Sequence, residues 1–132
     1  MTLDKIYQAA FTLNGTARET DLIRAPHIGS DSEVFLKTEN LQVTGSFKLR
    51  GAYNKISRLS DEEKKRGVIA CSAGNHAQGV ALAAARNGIH ALICIPDGAP
   101  ISKVEATRSY GAEVRLVPGV YDDAFRESCR LQ

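Results

Sequence analysis

Residues 67–96 read GVIACSAGNHAQGVALAAARNGIHALICIP. Two short apolar runs, Val68–Cys71 and the "HALICIP" closed by Pro96, bracket an alanine-rich segment that ends at Gly88. Runs with no polar face are those of strands covered on both sides, as in parallel sheets. The segment between them, from about Asn75, carries Ala81, Ala83, Ala84 and Ala85, side chains small enough to let a helix lie close on a sheet. Strand, helix, strand in this order is the right-handed βαβ unit. The fold class read from it is α/β.

The same grammar extends outward. Downstream, "SKVEATRSYG" reads as a helix, with Ser102 and Glu105 spaced as a capping box and Gly111 as its stop. Glu113–Val117 follows as a strand, and "DDAFRESCRLQ" opens another helix. Upstream, Leu49, Ala52, Tyr53, Ile56 and Leu59 recur at helical spacing. Ser60 and Glu63 form a further capping box, with Gly67 as the stop. Glu33–Lys37 reads as a short strand, a stretch rich in Gly, Ser, Asp and Pro lies before it to about Ser32, and Leu3 to Asn14 reads as a helix. These readings give a parallel sheet of about four strands with flanking helices, plus an N-terminal helical arm. The alternation breaks off in mid-pattern, as expected of one layer of a larger protein or of a domain whose partner has been removed.

Composition narrows the function classes. The chain has 132 residues, 43% of them hydrophobic, enough for one packed core. Its net charge of +2 gives no electrostatic reason to expect nucleic acid or an anionic membrane as partner. Cys71, Cys94 and Cys129 are odd in number, with neither disulfide nor zinc spacing; no metal is expected and a reducing cytoplasm is the natural compartment. Asp4 and Lys5 interrupt the apolar residues of the N-terminus, so no signal peptide is read there.

Two strand–turn–helix junctions carry the chemistry. One is "TGSFKLRGAY" (residues 44–53), which delivers Phe47 and Lys48 to a helix start. A cation there works against the helix dipole by about 0.3–1 kcal/mol. The same field favours the neutral amine, the form that attacks an aldehyde. The other is "CSAGNHAQG" (71–79), at the carboxyl end of a strand and the amino end of a helix, where open α/β sheets bind ligands and free N–H groups suit an anion. Gly74 lets a ligand approach the backbone, and Asn75 is placed to cap the helix while presenting its amide outward. Read alone, Ser72–Asn75 is equally a plain turn and Lys48 a solvated surface charge; the pairing of the two junctions raises the interest of both. His27 and His90 have no convergent partners and read as surface residues.

"TGSFKLRGAYNKI" followed by "SAGNHAQGVA" closely resembles the threonine/serine dehydratases, fold type II enzymes dependent on pyridoxal phosphate and similar to tryptophan synthase β. The resemblance extends through "SKVEATRSYGAEV" and implies roles by position. Lys48 would hold the cofactor as a Schiff base and take the substrate's Cα proton. Phe47 would pack on the cofactor ring, and Asn75 would hydrogen-bond its 3′-hydroxyl. Ser72, Ala73, Gly74, Asn75 and His76 would form the loop for the substrate carboxylate. The implied reaction converts L-threonine to 2-oxobutanoate and ammonia, and full-length members would be homo-oligomers. In the similar serine racemases a serine at the position of Ala73 supplies a second base; a methyl cannot, so the resemblance favours elimination.

There are departures. The family's Thr-Pro-Leu segment corresponds to "RAPHI" (Arg24–Ile28), where Ala25 and His27 differ. The family's glycine-rich phosphate loop falls beyond position 132, so weak cofactor binding and little turnover are expected of this chain alone. By resemblance, residues 1–40 form an arm that packs on the larger domain, and 41–132 form the small domain, truncated at its C-terminus. The alternative is a non-catalytic α/β domain that binds a small anion or amino acid. A nucleotide-binding reading is disfavoured, because no G-x-G-x-x-G follows a strand.

Overall fold

In a computed structural model, residues 2–29 and 31–132 are described; Met1 and Ser30, the latter within the irregular stretch read from the sequence, lie outside them. The arm begins with helix α1, Leu3–Leu13, followed by strands β1, Leu22–Arg24, and β2, Phe35–Lys37. The two strands pair antiparallel, with Ile23 opposite Leu36. The α/β part contains α2 (Lys48–Ile56), α3 (Asp61–Arg66), β3 (Val68–Cys71), α4 (Asn75–Arg86), β4 (Ala91–Pro96), α5 (Ile101–Ser109), β5 (Glu113–Val117) and α6 (Tyr121–Leu131).

The parallel sheet has three strands in the order β3-β4-β5, with Cys71 in register with Cys94 and Ile93 with Val114. The expected fourth strand is the "EVFLK" segment, and it goes elsewhere. Only Phe35–Lys37 of it is extended, and it folds back on Leu22–Arg24, a partner too weakly patterned to be seen in the sequence.

β4 is the central strand. Its Ala91, Ile93 and Ile95 face Ala77, Val80, Ala81 and Ala84 of α4, Ala52 and Ile56 of α2 and Val104 of α5. Each large side chain buried here contributes about 1.5–3 kcal/mol. The opposite face is covered by α6, where Cys94 and Ala124 are both fully buried. Lost solvation pushes the Cys71 and Cys94 thiols above their usual value, so both act as small apolar groups. β3 is only half-buried, rather than covered on both sides as its apolar run suggested, because it is an edge strand among the described residues.

Helix ends mostly follow the expected punctuation. Ser60 accepts from the Glu63 N–H at 3.2 Å, and Glu63 accepts from the Ser60 N–H at 2.7 Å, completing that capping box. Gly67 turns the chain with φ +86°. The second capping box does not form. Pro100 carries the N-cap of α5, and its carbonyl accepts the Lys103 N–H at 2.9 Å. Ser102 therefore lies inside the helix, past the reach of the cap, and Glu105 pairs with Arg108 instead.

A half-buried polar network fastens the arm to α2. Arg50 donates to both carboxylate oxygens of Glu39, from Nε at 2.9 Å and Nη2 at 2.8 Å, and Nη2 also reaches the Arg18 carbonyl at 3.0 Å. Thr20 donates to Glu39 at 2.6 Å. Gln42 accepts the Arg18 N–H at 2.8 Å and donates to the Arg18 carbonyl at 3.0 Å. Arg50 foremost, with Thr20 also donating, holds the Glu39 pKa down at about 2 despite its burial.

Candidate active site

Lys48 is the first residue of α2, with Phe47 as N-cap. The Thr44 and Ser46 side chains preceding it are buried, and Gly45 makes the turn at φ +67°. The Lys48 ammonium stands 5.0 Å from the centre of the Phe47 ring. It forms no ion pair among the described residues. Phe47 is 59% exposed, an unusual position for a large apolar ring.

The second junction follows β3. Ser72 accepts the Gly74 N–H at 3.3 Å, and a side chain at Gly74 would meet no atom within 4 Å. Backbone here faces open space. Gly74, not Asn75, is the N-cap of α4; no side chain caps the helix, and Asn75 lies one position inside it. Its Oδ1 accepts from Lys103 Nζ at 3.4 Å. Ala73 packs its methyl against the core. His76 is the second residue of α4 and is exposed.

One glycine joins the two junctions. A Cβ at Gly79 would lie 3.0 Å from the Lys48 carbonyl carbon and 3.1 Å from the Leu49 nitrogen. α4 thus touches the α2 backbone at the lysine itself, and any side chain there would push the helices apart. Asn75 lies one turn earlier on the same side of α4. Lost solvation, followed by the Lys48 charge, holds the His76 pKa below its usual value. Phe47, Lys48, Asn75 and His76 are all exposed and stand at the starts of the two helices that meet at Gly79.

Sequence reasoning missed Gly79 and Lys103. A glycine inside an otherwise well-formed helix was the available signal for the first. For Lys103 there was none. His90, read as a surface residue without convergent partners, is exposed and pairs with Glu113 at 3.0 Å, between the residue before β4 and the first of β5.

The residues present fit part of a pyridoxal phosphate site. An unpaired amine, an exposed aromatic ring, an outward amide and open backbone at Gly74 suit an aldehyde-bearing heterocycle and a carboxylate. A comparable cradle for the phosphate is not formed by these residues.

Comparison with known proteins agrees with that chemistry. Residues 13–132 match the family described as pyridoxal-phosphate dependent enzyme. The L-threonine ammonia-lyase of Thermotoga maritima is 51% identical over 134 aligned positions, covering 100% of this chain and 33% of the relative. Among solved structures, maize serine racemase superposes with a TM-score of 0.90 at 37% identity, covering 98% of this chain and 40% of the other. Processed threonine deaminase isoform 2 of Solanum lycopersicum gives 0.81 at 39% identity, covering 99% of this chain and 38% of the other. The chain belongs to the pyridoxal-phosphate dependent enzymes and has the α/β fold of their fold type II members. It spans about a third of the length of the curated relative that it matches. Among the described residues, no helix is long and apolar enough to cross a membrane.

Proposed function

We propose that this chain carries the amine-bearing half of the active site of an L-threonine/L-serine ammonia-lyase. The observation that carries the reading is the Gly79 contact, which seats the Lys48 backbone against the helix that begins at Asn75. Lys48 would hold the cofactor's aldehyde carbon, Phe47 would lie against its ring, and Asn75 would donate to its phenolic oxygen. When bound, pyridoxal phosphate supplies an electron sink for the pair left at Cα. Once the substrate's amine displaces it from the cofactor's aldehyde carbon, Lys48 Nζ would take the Cα proton and pass it to the β-hydroxyl, which would leave as water. N–H groups at the start of α4 receive the substrate carboxylate, favoured there by the helix dipole.

Racemisation is the second reading, supported by the likeness to maize serine racemase. It needs a proton donor on the far face of the substrate. Ala73, whose methyl is packed inward, offers none. Residues 1–40 are assigned as an arm that packs on a larger domain, and 41–132 as the small domain. Supporting this division, α1 leaves Leu3, Tyr7 and Phe11 on one exposed stripe, with Phe11 84% exposed.

The test is a chimera in which this chain replaces the matching third of the Thermotoga maritima enzyme. Threonine should yield 2-oxobutanoate, and Lys48→Ala should abolish it. Formation of D-serine from L-serine without 2-oxo acid would instead support the racemase. A folded chimera that takes up cofactor yet turns over neither amino acid would sink the enzyme reading.

A further inference from the structure

Asn75 makes one side-chain hydrogen bond among the described residues, and its partner comes from a helix that the proposed site does not otherwise use. Lys103 lies in the first turn of α5, and its Nζ is 3.4 Å from Asn75 Oδ1. The Lys103 backbone is firmly held. Its N–H bonds the Pro100 carbonyl at 2.9 Å, its carbonyl accepts the hydroxyl of fully buried Thr107 at 2.9 Å, and neighbouring Val104 is buried in the core.

An asparagine amide is nearly symmetric in shape, so packing alone chooses poorly between its two orientations; the neighbouring donors and acceptors choose. An ammonium has three donors and no acceptor. With Lys103 beside it, the amide must turn its oxygen toward the lysine, because the reverse would set N–H against N–H and lose the only bond available. The two Nδ2 protons are then directed away from Lys103, and no described residue accepts them. Asn75 is left as a pure donor, exposed in the first turn of α4.

We propose that Lys103 is a positioning residue, which fixes the Asn75 amide with its N–H end toward the ligand and so selects an anionic or phenolic oxygen there. This rests on the site proposed above. Lys103 need not touch the ligand. Its effect passes through the orientation of one amide, so it should vanish when that amide is removed.

Two measurements test it. The first needs no ligand. In NMR spectra of this chain, the Asn75 Nδ2 protons should show no strong Overhauser contact to Lys103 Hε. In Lys103→Glu, which can only accept, the amide should reverse and its protons should contact the new side chain. Strong contacts between Nδ2 protons and Lys103 in the unmodified chain would overturn the inference, even for a chain that holds cofactor weakly. The second is a double-mutant cycle on pyridoxal phosphate affinity, read by absorbance. Lys103→Met should weaken binding by about three- to tenfold, Lys103→Arg by less than about twofold, and Lys103→Met should add nothing in an Asn75→Ala background. Equal losses in both backgrounds would make Lys103 an independent charge and end the positioning role. Should Asn75→Ala leave affinity unchanged, the assignment of Asn75 to the cofactor fails, whereas the orientation seen by NMR is decided separately.

Discussion

Replacing Glu39 with glutamine should remove most of the bond between the arm and α2, and should do so only above acid pH. The folded-state pKa of Glu39 is about 2, against a usual 4.5, chiefly because Arg50 donates to both its oxygens. At about 1.4 kcal/mol per tenfold change in proton affinity, this caps the contribution at roughly 3 kcal/mol. The side chain of Glu39 is only 14% exposed but that of Arg50 is 33%, so water screens part of the pair and about 2 kcal/mol is expected. The sign follows from the depressed value. The contribution is fully present above about pH 4.5 and is lost as pH falls toward about 2. Urea unfolding should therefore show the wild-type chain more stable than Glu39→Gln by about 2 kcal/mol near pH 6.5, a midpoint difference of about 1 M. By about pH 3 the gap should shrink by more than half. The same gap at both pH values, or no gap at pH 6.5, would refute the account of this pair as a charged clasp.

Three further outcomes follow from the geometry. Gly79→Ala should destabilise the chain by about 1–3 kcal/mol in urea unfolding, because the new methyl meets rigid Lys48 backbone, and should weaken pyridoxal phosphate uptake in parallel. Lys48→Ala should raise the His76 pKa measured by NMR, since a nearby cation is removed; an unmoved titration would separate the two residues. Gly67→Ala should cost about 1–3 kcal/mol, because φ is +86° and the His90 carbonyl oxygen lies 2.9 Å from the added carbon.

What the sequence disclosed was local. The β3-α4-β4 unit, the Ser60–Glu63 box and the loop ahead of α4 rest on neighbours a few residues apart, so their residue types betray them. The errors arose where a distant partner decided. Phe35–Lys37 has the composition of a sheet strand, but its pairing with Leu22–Arg24 depends on a three-residue segment with no alternation to reveal it. Ser102 and Glu105 have the right spacing for a cap, yet Pro100 starts the helix earlier and leaves that spacing without a function. The Glu39–Arg50 pair and the Lys103–Asn75 bond join residues 11 and 28 positions apart, a relation no periodicity encodes. In the candidate site, the two loops could be marked in advance, but the contacts that seat them, at Gly79 and Lys103, could not.

The bare Gly79 contact also limits how the site can move. With no side chain between them, the start of α2 and the first turns of α4 have no soft layer in which to slide. The amine of residue 48 and the amide of residue 75 are consequently carried on a single rigid body. Motion that opens or shuts a cleft over this part of the molecule must carry both backbones together, which leaves only the lysine's flexible four-carbon stem to adjust the distance between amine and amide.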